Sequence, residues 1–286
     1  MGYKGKREEA KPLILPNLNV ERNSEDAFMT DLVAASNELR SSLLLSAKLL
    51  PRLKIEPNHM GILIGLMVRL YKLYDTYLYL ICDHRLEIAL LLGRSVCETA
   101  IDLAYLCKNL KAEEFNKFIK VSLATSKKIY DEIENDKSTN SGNRFIQQRI
   151  QTSILEDFDE ARFKLEEVNY SDLKGFGTIA VRARGCNMER EYLFVFKNLS
   201  RLTHASWSEF VKYHLAKSRN LWYANHNYSI PRPQSLDGIA ILVTEATENY
   251  VNTVVHGFEL SDRLKKIREW FLAIAIKHEQ FMSMQQ

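Results

Sequence analysis

Cysteine is scarce and unpatterned in this chain. Cys82, Cys97, Cys107 and Cys186 form no CxxC pair and no dense framework, which excludes a disulfide scaffold and points to reduced thiols in the cytoplasm. Long apolar runs are missing too. The most apolar stretch, MGILIGLMV at 60–68, is stopped by Arg69, Lys72 and Asp75, well short of the roughly 18 residues a membrane span needs. The first twenty residues are charged and lack the apolar centre of a signal peptide. Neither sign of charge dominates: the formal excess is +3, which argues against a uniformly basic nucleic-acid coat and leaves room for a local basic groove. The seven histidines are scattered without an HExxH pair, and there is no GxxxxGK[ST] loop and no GxGxxG after a strand. Metalloprotease, phosphate-loop and dinucleotide-binding readings therefore fall away, and neither a metal nor a cofactor is expected.

What is present is helical periodicity, nearly everywhere, with no convincing strand alternation. The expected fold class is all-α: an extended arm over 1–22, where Pro12 and Pro16 forbid a regular helix, then one helical domain over 23–286. Ser24 with Glu25 and Asp26 predicts a helix start, and that helix runs to Pro51. Further helices are expected from Asn58 to about Ile81, over 82–109, 112–135 and 144–168, with a polar loop at 135–143. A short helix capped by Ser171 should be broken by RARGC at 182–186, and a longer one should span 188–216. The proline-, serine- and asparagine-rich stretch 218–238 reads as a long loop, of a length often tied to function. Ser235 and Ser261 then start the last two helices.

Two helices carry polar residues in telling places. In 83–107, Ala89, Leu92, Gly93, Val96, Ala100 and Leu103 share one face. The opposite face interleaves His84, Glu87, Arg94, Glu98 and Asp102 with Leu91, Ile101 and Tyr105. A helix apolar on both flanks is buried on most sides, so this stripe should face protein or a cleft. Arg94 and Glu98 stand one turn apart, spaced to form a structural ion pair or to line a site where the guanidinium fork holds an anion. In 188–216, Tyr192, Phe196, Leu199, Thr203 and Phe210 form the core face, and Lys197, Arg201 and Lys212 the solvent face. Ser200 and His204 fall on the boundary, where a cleft wall would be. An imidazole there is suited to general acid–base work, or to a structural hydrogen bond. The tyrosines of RLYKLYDTYLYL (69–80) read as packing residues, and DRLKKIREWF (262–271) as a solvated face.

The Arg-x-x-x-Glu helix LLLGRSVCETAIDLAYL, followed downstream by Tyr192 and then LSRLTHASW, resembles the bacterial family filed as domain of unknown function 5677, over about 65–215. That family is similar to the HEPN all-helical proteins, many of them metal-independent ribonucleases of toxin and antiviral systems. Their usual signature places an arginine or another polar residue four to six positions before a histidine. Here Arg201 precedes His204 by three and Lys197 by seven, so the arginine would come from the other helix. The resemblance implies Arg94, Glu98 and His204 as catalytic residues, with Ser200, Tyr192 and Arg201 binding substrate. It implies RNA or a nucleotide as ligand, and a homodimer or a protein partner. The competing expectation is a non-catalytic helical module that senses a nucleotide or a protein.

Overall fold

In the computed structural model, residues 12–139, 145–200 and 206–285 are described. Among these residues the architecture is all-α apart from one two-stranded hairpin. α1 (Glu25–Lys48) starts where expected: Ser24 is extended, its Oγ accepts the Ala27 N–H at 3.2 Å, and two acids occupy the first turn. α2 (Pro57–Cys82) begins one residue before Asn58, because Pro57 at the first helical position loses no hydrogen bond. α3 (Leu86–Lys108) is the central helix and packs on α2, on α10 (Pro233–Tyr250) and on α6 (Ile179–Gly185). A Cβ added to Gly93 would lie 2.8 Å from Ile239 Cδ1 and 3.2 Å from a Tyr77 ring carbon, so this glycine marks the helix crossing. Tyr74 and Tyr77 are fully buried as packing residues, and Tyr79 is exposed.

α11 (Phe258–Ser283) closes the bundle against α1 and α10. It starts at Phe258 rather than Ser261, which is instead buried. Its basic face is not merely solvated: Arg263 pairs with Glu38 of α1, and Arg268 with Glu245 of α10 at 3.9 Å. The arm is non-helical from residue 12 to the cap of α1. It is tied down where Trp270 Nε1 donates to the Pro16 carbonyl at 2.8 Å and Lys277 donates to that of Leu18.

α4 (Ala112–Thr139) and α5 (Phe145–Ala161) form an antiparallel pair with its own small core of Leu123, Ala124, Ile154, Phe158 and Val168. Helix continues through 135–139, where a loop is expected, because nothing in NDKST breaks it before residue 139. α5 stops at Ala161, where Arg162 takes a positive φ of 60°. Short 3₁₀ turns at Leu165–Glu167 and Tyr170–Lys174 follow, the second capped by Asn169 rather than Ser171. RARG does not break a helix: it is the body of α6, started by Thr178, whose Oγ1 accepts from Val181 N.

The expected helix over 188–216 is two segments. The first comprises α7 (Glu189–Glu191), a π turn at Tyr192–Phe196 and α8 (Lys197–Ser200). The second starts afresh at Ser206, which is extended (φ −129°, ψ 152°) and caps α9 (Trp207–Glu209), continued by a π turn at Phe210–His214. The restart shifts the helical phase. Tyr213 is therefore buried, and Phe210, expected in the core, is 39 % exposed. The loop expected over 218–238 is corrected as well. β1 (Leu215–Ser218) and β2 (Leu221–Ala224) pair antiparallel, Arg219 in the tight turn takes a positive φ, and α10 begins at Pro233. Ser235 lies inside α10 rather than before it, because Pro233 suits the first helical position. Among the described residues no helix is long and apolar enough to cross a membrane.

Candidate functional site

The polar stripe of α3 divides into two halves. At its C-terminal half, Asp102 is bound to Arg182 of α6 through Nε at 2.6 Å. Arg182 also donates to the Gly177 carbonyl at 2.7 Å and lies 4.6 Å above the Phe176 ring. Both charges are nearly withdrawn from water. Burial raises the Asp102 carboxyl to about 6, against the opposing pull of Arg182. Arg69 of α2 bonds Thr99 Oγ1 at 3.1 Å on the same side of α3. This half is a helix-to-helix latch.

The N-terminal half faces the segment that carries the second motif. α3 packs on the π turn Tyr192–Phe196 and on α8. Leu199 of α8 is buried, 3.5 Å from where a Gly93 Cβ would sit. Next along α3, the Arg94 guanidinium lies over the Phe196 ring at 5.5 Å. Tyr192 stacks on Phe196 at 5.5 Å, and Lys197 lies over Tyr192 at 5.9 Å. Ser200 Oγ donates to the Phe196 carbonyl at 2.9 Å, a back-bond that anchors the hydroxyl to its own helix.

Arg94 is thus half-buried over Phe196, which in turn contacts Tyr192 through its ring and Ser200 through its carbonyl. Glu98 is exposed, and among the described residues no ion pair joins it to Arg94. Of the two groups in that spacing, the arginine lies over the Phe196 ring and the carboxylate is exposed. His204 and Arg201 lie outside the described residues, as does Thr203. Two π turns flank that stretch, one ending at Phe196 and the other beginning at Phe210. Such single-turn widenings of a helix recur at functional sites.

Sequence reasoning missed Arg182 and Arg69, whose partners lie on other helices with no local spacing to reveal them. It missed Asp237 of α10 as well. Burial raises that carboxyl to about 6, and the Gly238 N–H that it accepts at 2.5 Å pulls the other way. Gly238 places α10 against the same π turn, since a Cβ there would stand 3.0 Å from Val195. Among the described residues, no three His, Cys, Asp or Glu side chains group as metal ligands.

The packing of the α3 turn at Arg94 on the Tyr192–Ser200 segment joins the two motifs in space, and both lie inside one family match. The family of unknown function (DUF5677) matches residues 60–221, more than half of the chain. The chain belongs to this family. No curated protein and no solved structure matches it. The DUF5677 region runs from the first turn of α2 to the start of β2. It therefore contains the whole α3 stripe, the satellite pair α4 and α5, and the segment bearing His204.

Proposed function

We propose that this DUF5677 protein is a HEPN-like, metal-independent endoribonuclease that works in the cytoplasm as a toxin or antiviral-defence effector, as a homodimer or with a protein partner. The observation that supports the reading is the seat of Arg94 over Phe196, whose carbonyl accepts from Ser200, in the segment that leads into His204.

In this reading the ribose 2′-hydroxyl of the RNA is the nucleophile, so the attacking group comes with the substrate. His204 takes the 2′ proton or returns one to the leaving 5′ oxygen. Arg94 stabilises the charge that grows on the phosphate. Glu98, free to swing from its exposed position, orients the guanidinium or the imidazole. Tyr192, Ser200 and Arg201 hold the substrate.

The test is purified protein on single-stranded RNA, wild type beside His204→Ala and Arg94→Ala, with fragment ends analysed. Cleavage leaving 2′,3′-cyclic phosphate ends, reduced at least about a hundredfold in each variant, is expected. On induced expression, wild type should slow growth and degrade RNA, and His204→Ala should not. Intact RNA and equal growth in both would sink the ribonuclease reading.

A second reading is a non-catalytic sensor of a nucleotide or protein. The closed Asp102–Arg182 latch favours it, because that carboxylate of the stripe is already engaged by protein.

A further inference from the structure

The hairpin β1–β2 is exposed on both faces: of its eight strand residues only Leu215 is even partly covered. A two-stranded ribbon wet on both faces is marginal by itself. Its strands nevertheless carry large apolar side chains in water, with Leu221 at 63 %, Trp222 at 40 % and Tyr223 at 51 % exposure. The register puts Lys217 directly opposite Trp222, and the ammonium lies 5.4 Å over the indole. Trp207 of α9, 63 % exposed, meets Trp222 edge-to-face at 5.5 Å. Next along the chain, Lys212 lies 5.0 Å over the ring of the buried Tyr213 and is itself open to solvent.

Charge decides what such a surface fits. Residues 192–232 hold six lysines and arginines (197, 201, 212, 217, 219 and 232) and one acid, Glu209. That local excess of five exceeds the +3 of the whole chain, so the remainder is net negative. Glu209 is itself engaged, 3.5 Å from His214 and accepting from the Ser206 N–H. Lysine alone on an exposed ribbon would guard its edges against pairing. The exposed indoles beside the lysines are what that role leaves unexplained. A protein-binding core would be depleted in lysine. Flat rings set among cations instead match a ligand that offers π-faces and negative charge in alternation.

We propose that the β1–β2 ribbon with Trp207 is a binding platform for single-stranded nucleic acid. Trp222 and Trp207 stack on bases, while Lys217, Arg219 and Lys212 hold the phosphates. The platform does not depend on the ribonuclease reading, and its test avoids cleavage. Fluorescein-labelled 12-mers of 2′-O-methyl RNA, of DNA, and a duplex of the same sequence are titrated with the full chain, followed by anisotropy. Intrinsic tryptophan emission is recorded in parallel, with the buried Trp270 as a reference that the ligand does not reach.

Both single strands should bind more tightly than the duplex and quench tryptophan emission. Trp222→Ala and Trp207→Ala should each weaken binding about tenfold, with far-UV dichroism and melting temperature as the control for folding. Lys217→Gln with Arg219→Gln, which removes no ring, should lower the slope of log affinity against log salt by about 0.7 for each phosphate no longer neutralised. No binding of any single strand by wild type at low salt overturns the platform. So does binding that neither the tryptophan nor the charge variants change. A concentration-dependent dimer abolished by Trp222→Ala, without oligonucleotide binding, also overturns it and assigns the ribbon to an interface between copies of the chain.

Discussion

Asp237 is a carboxylate held against its chemistry. No cationic side chain offsets its burial among the described residues, and the Gly238 N–H is the group that favours the charged form. Its folded-state value near 6 lies above the ordinary carboxylate range, so the folded chain binds a proton that the unfolded chain has already released between about pH 4 and 6. Stability must then fall as pH rises through that window. Asp237→Asn keeps the shape and removes the charge. It should stabilise the protein by about 1–3 kcal/mol at pH 8, and the advantage should vanish near pH 4. Urea unfolding of the two proteins at both pH values measures it, and an equal midpoint at pH 8 contradicts it. Asp102 titrates in the same window, but Arg182 is buried with it, so neutralising Asp102 would leave an unpaired cation and give no comparable gain. Neither behaviour is legible in the sequence, where Asp237 is one acid in a serine- and proline-rich stretch and Asp102 one member of a stripe. That Arg94 lies off the apolar face of α3 was legible from the wheel of 83–107. Its resting place on Phe196 required the packing of a helix a hundred residues on.

Elements were legible wherever burial is one-sided. α1 to α4 follow the 3.6-residue repeat and the cap chemistry of Ser24 and Pro57. The hairpin was not, since a ribbon wet on both faces has no reason to alternate apolar with polar residues. The break at Ser206 left a signal that periodicity overrode. Ser206 and Glu209 form a capping box, a hydroxyl followed three residues later by a carboxylate, each accepting the other's backbone N–H. Glycine makes the element-scale prediction. Gly65 in α2 and Gly93 in α3 are both mid-helix, and alanine gains up to about 1 kcal/mol of helix propensity at either. Nothing lies within 4 Å of a Cβ at Gly65, whereas at Gly93 the buried Ile239 and Tyr77 stand in the way. Gly65→Ala should raise the melting temperature. Gly93→Ala should lower it, by a net cost of about 1 kcal/mol or more. Calorimetry showing the same sign for both would refute the crossing.

At the scale of the molecule, two apolar cores of very different size are stabilised separately. The large one joins α1, α2, α3, α10 and α11 and takes in the start of α4 through Phe115, and the small one joins the rest of α4, α5 and the 3₁₀ turns. A handful of buried side chains supports α5, so that helix should open without the rest. Phe158→Ala, a loss of about 3–5 kcal/mol at a buried phenylalanine, should speed amide exchange across Phe145–Ala161 while α3 keeps its protection. Uniform acceleration over both helices would mean a single cooperative unit instead. The large core has its own peculiarity, the strap of residues 13–18 laid on α11. Its fastening joins Pro16 to Trp270, partners 254 positions apart. On a ribosome adding about 5–20 residues per second, the strap waits on the order of ten to fifty seconds for the helix it grips. Through that interval Leu13 and Leu15, which end packed on the core, stay within reach of chaperones and proteases, so synthesis rate becomes a determinant of yield.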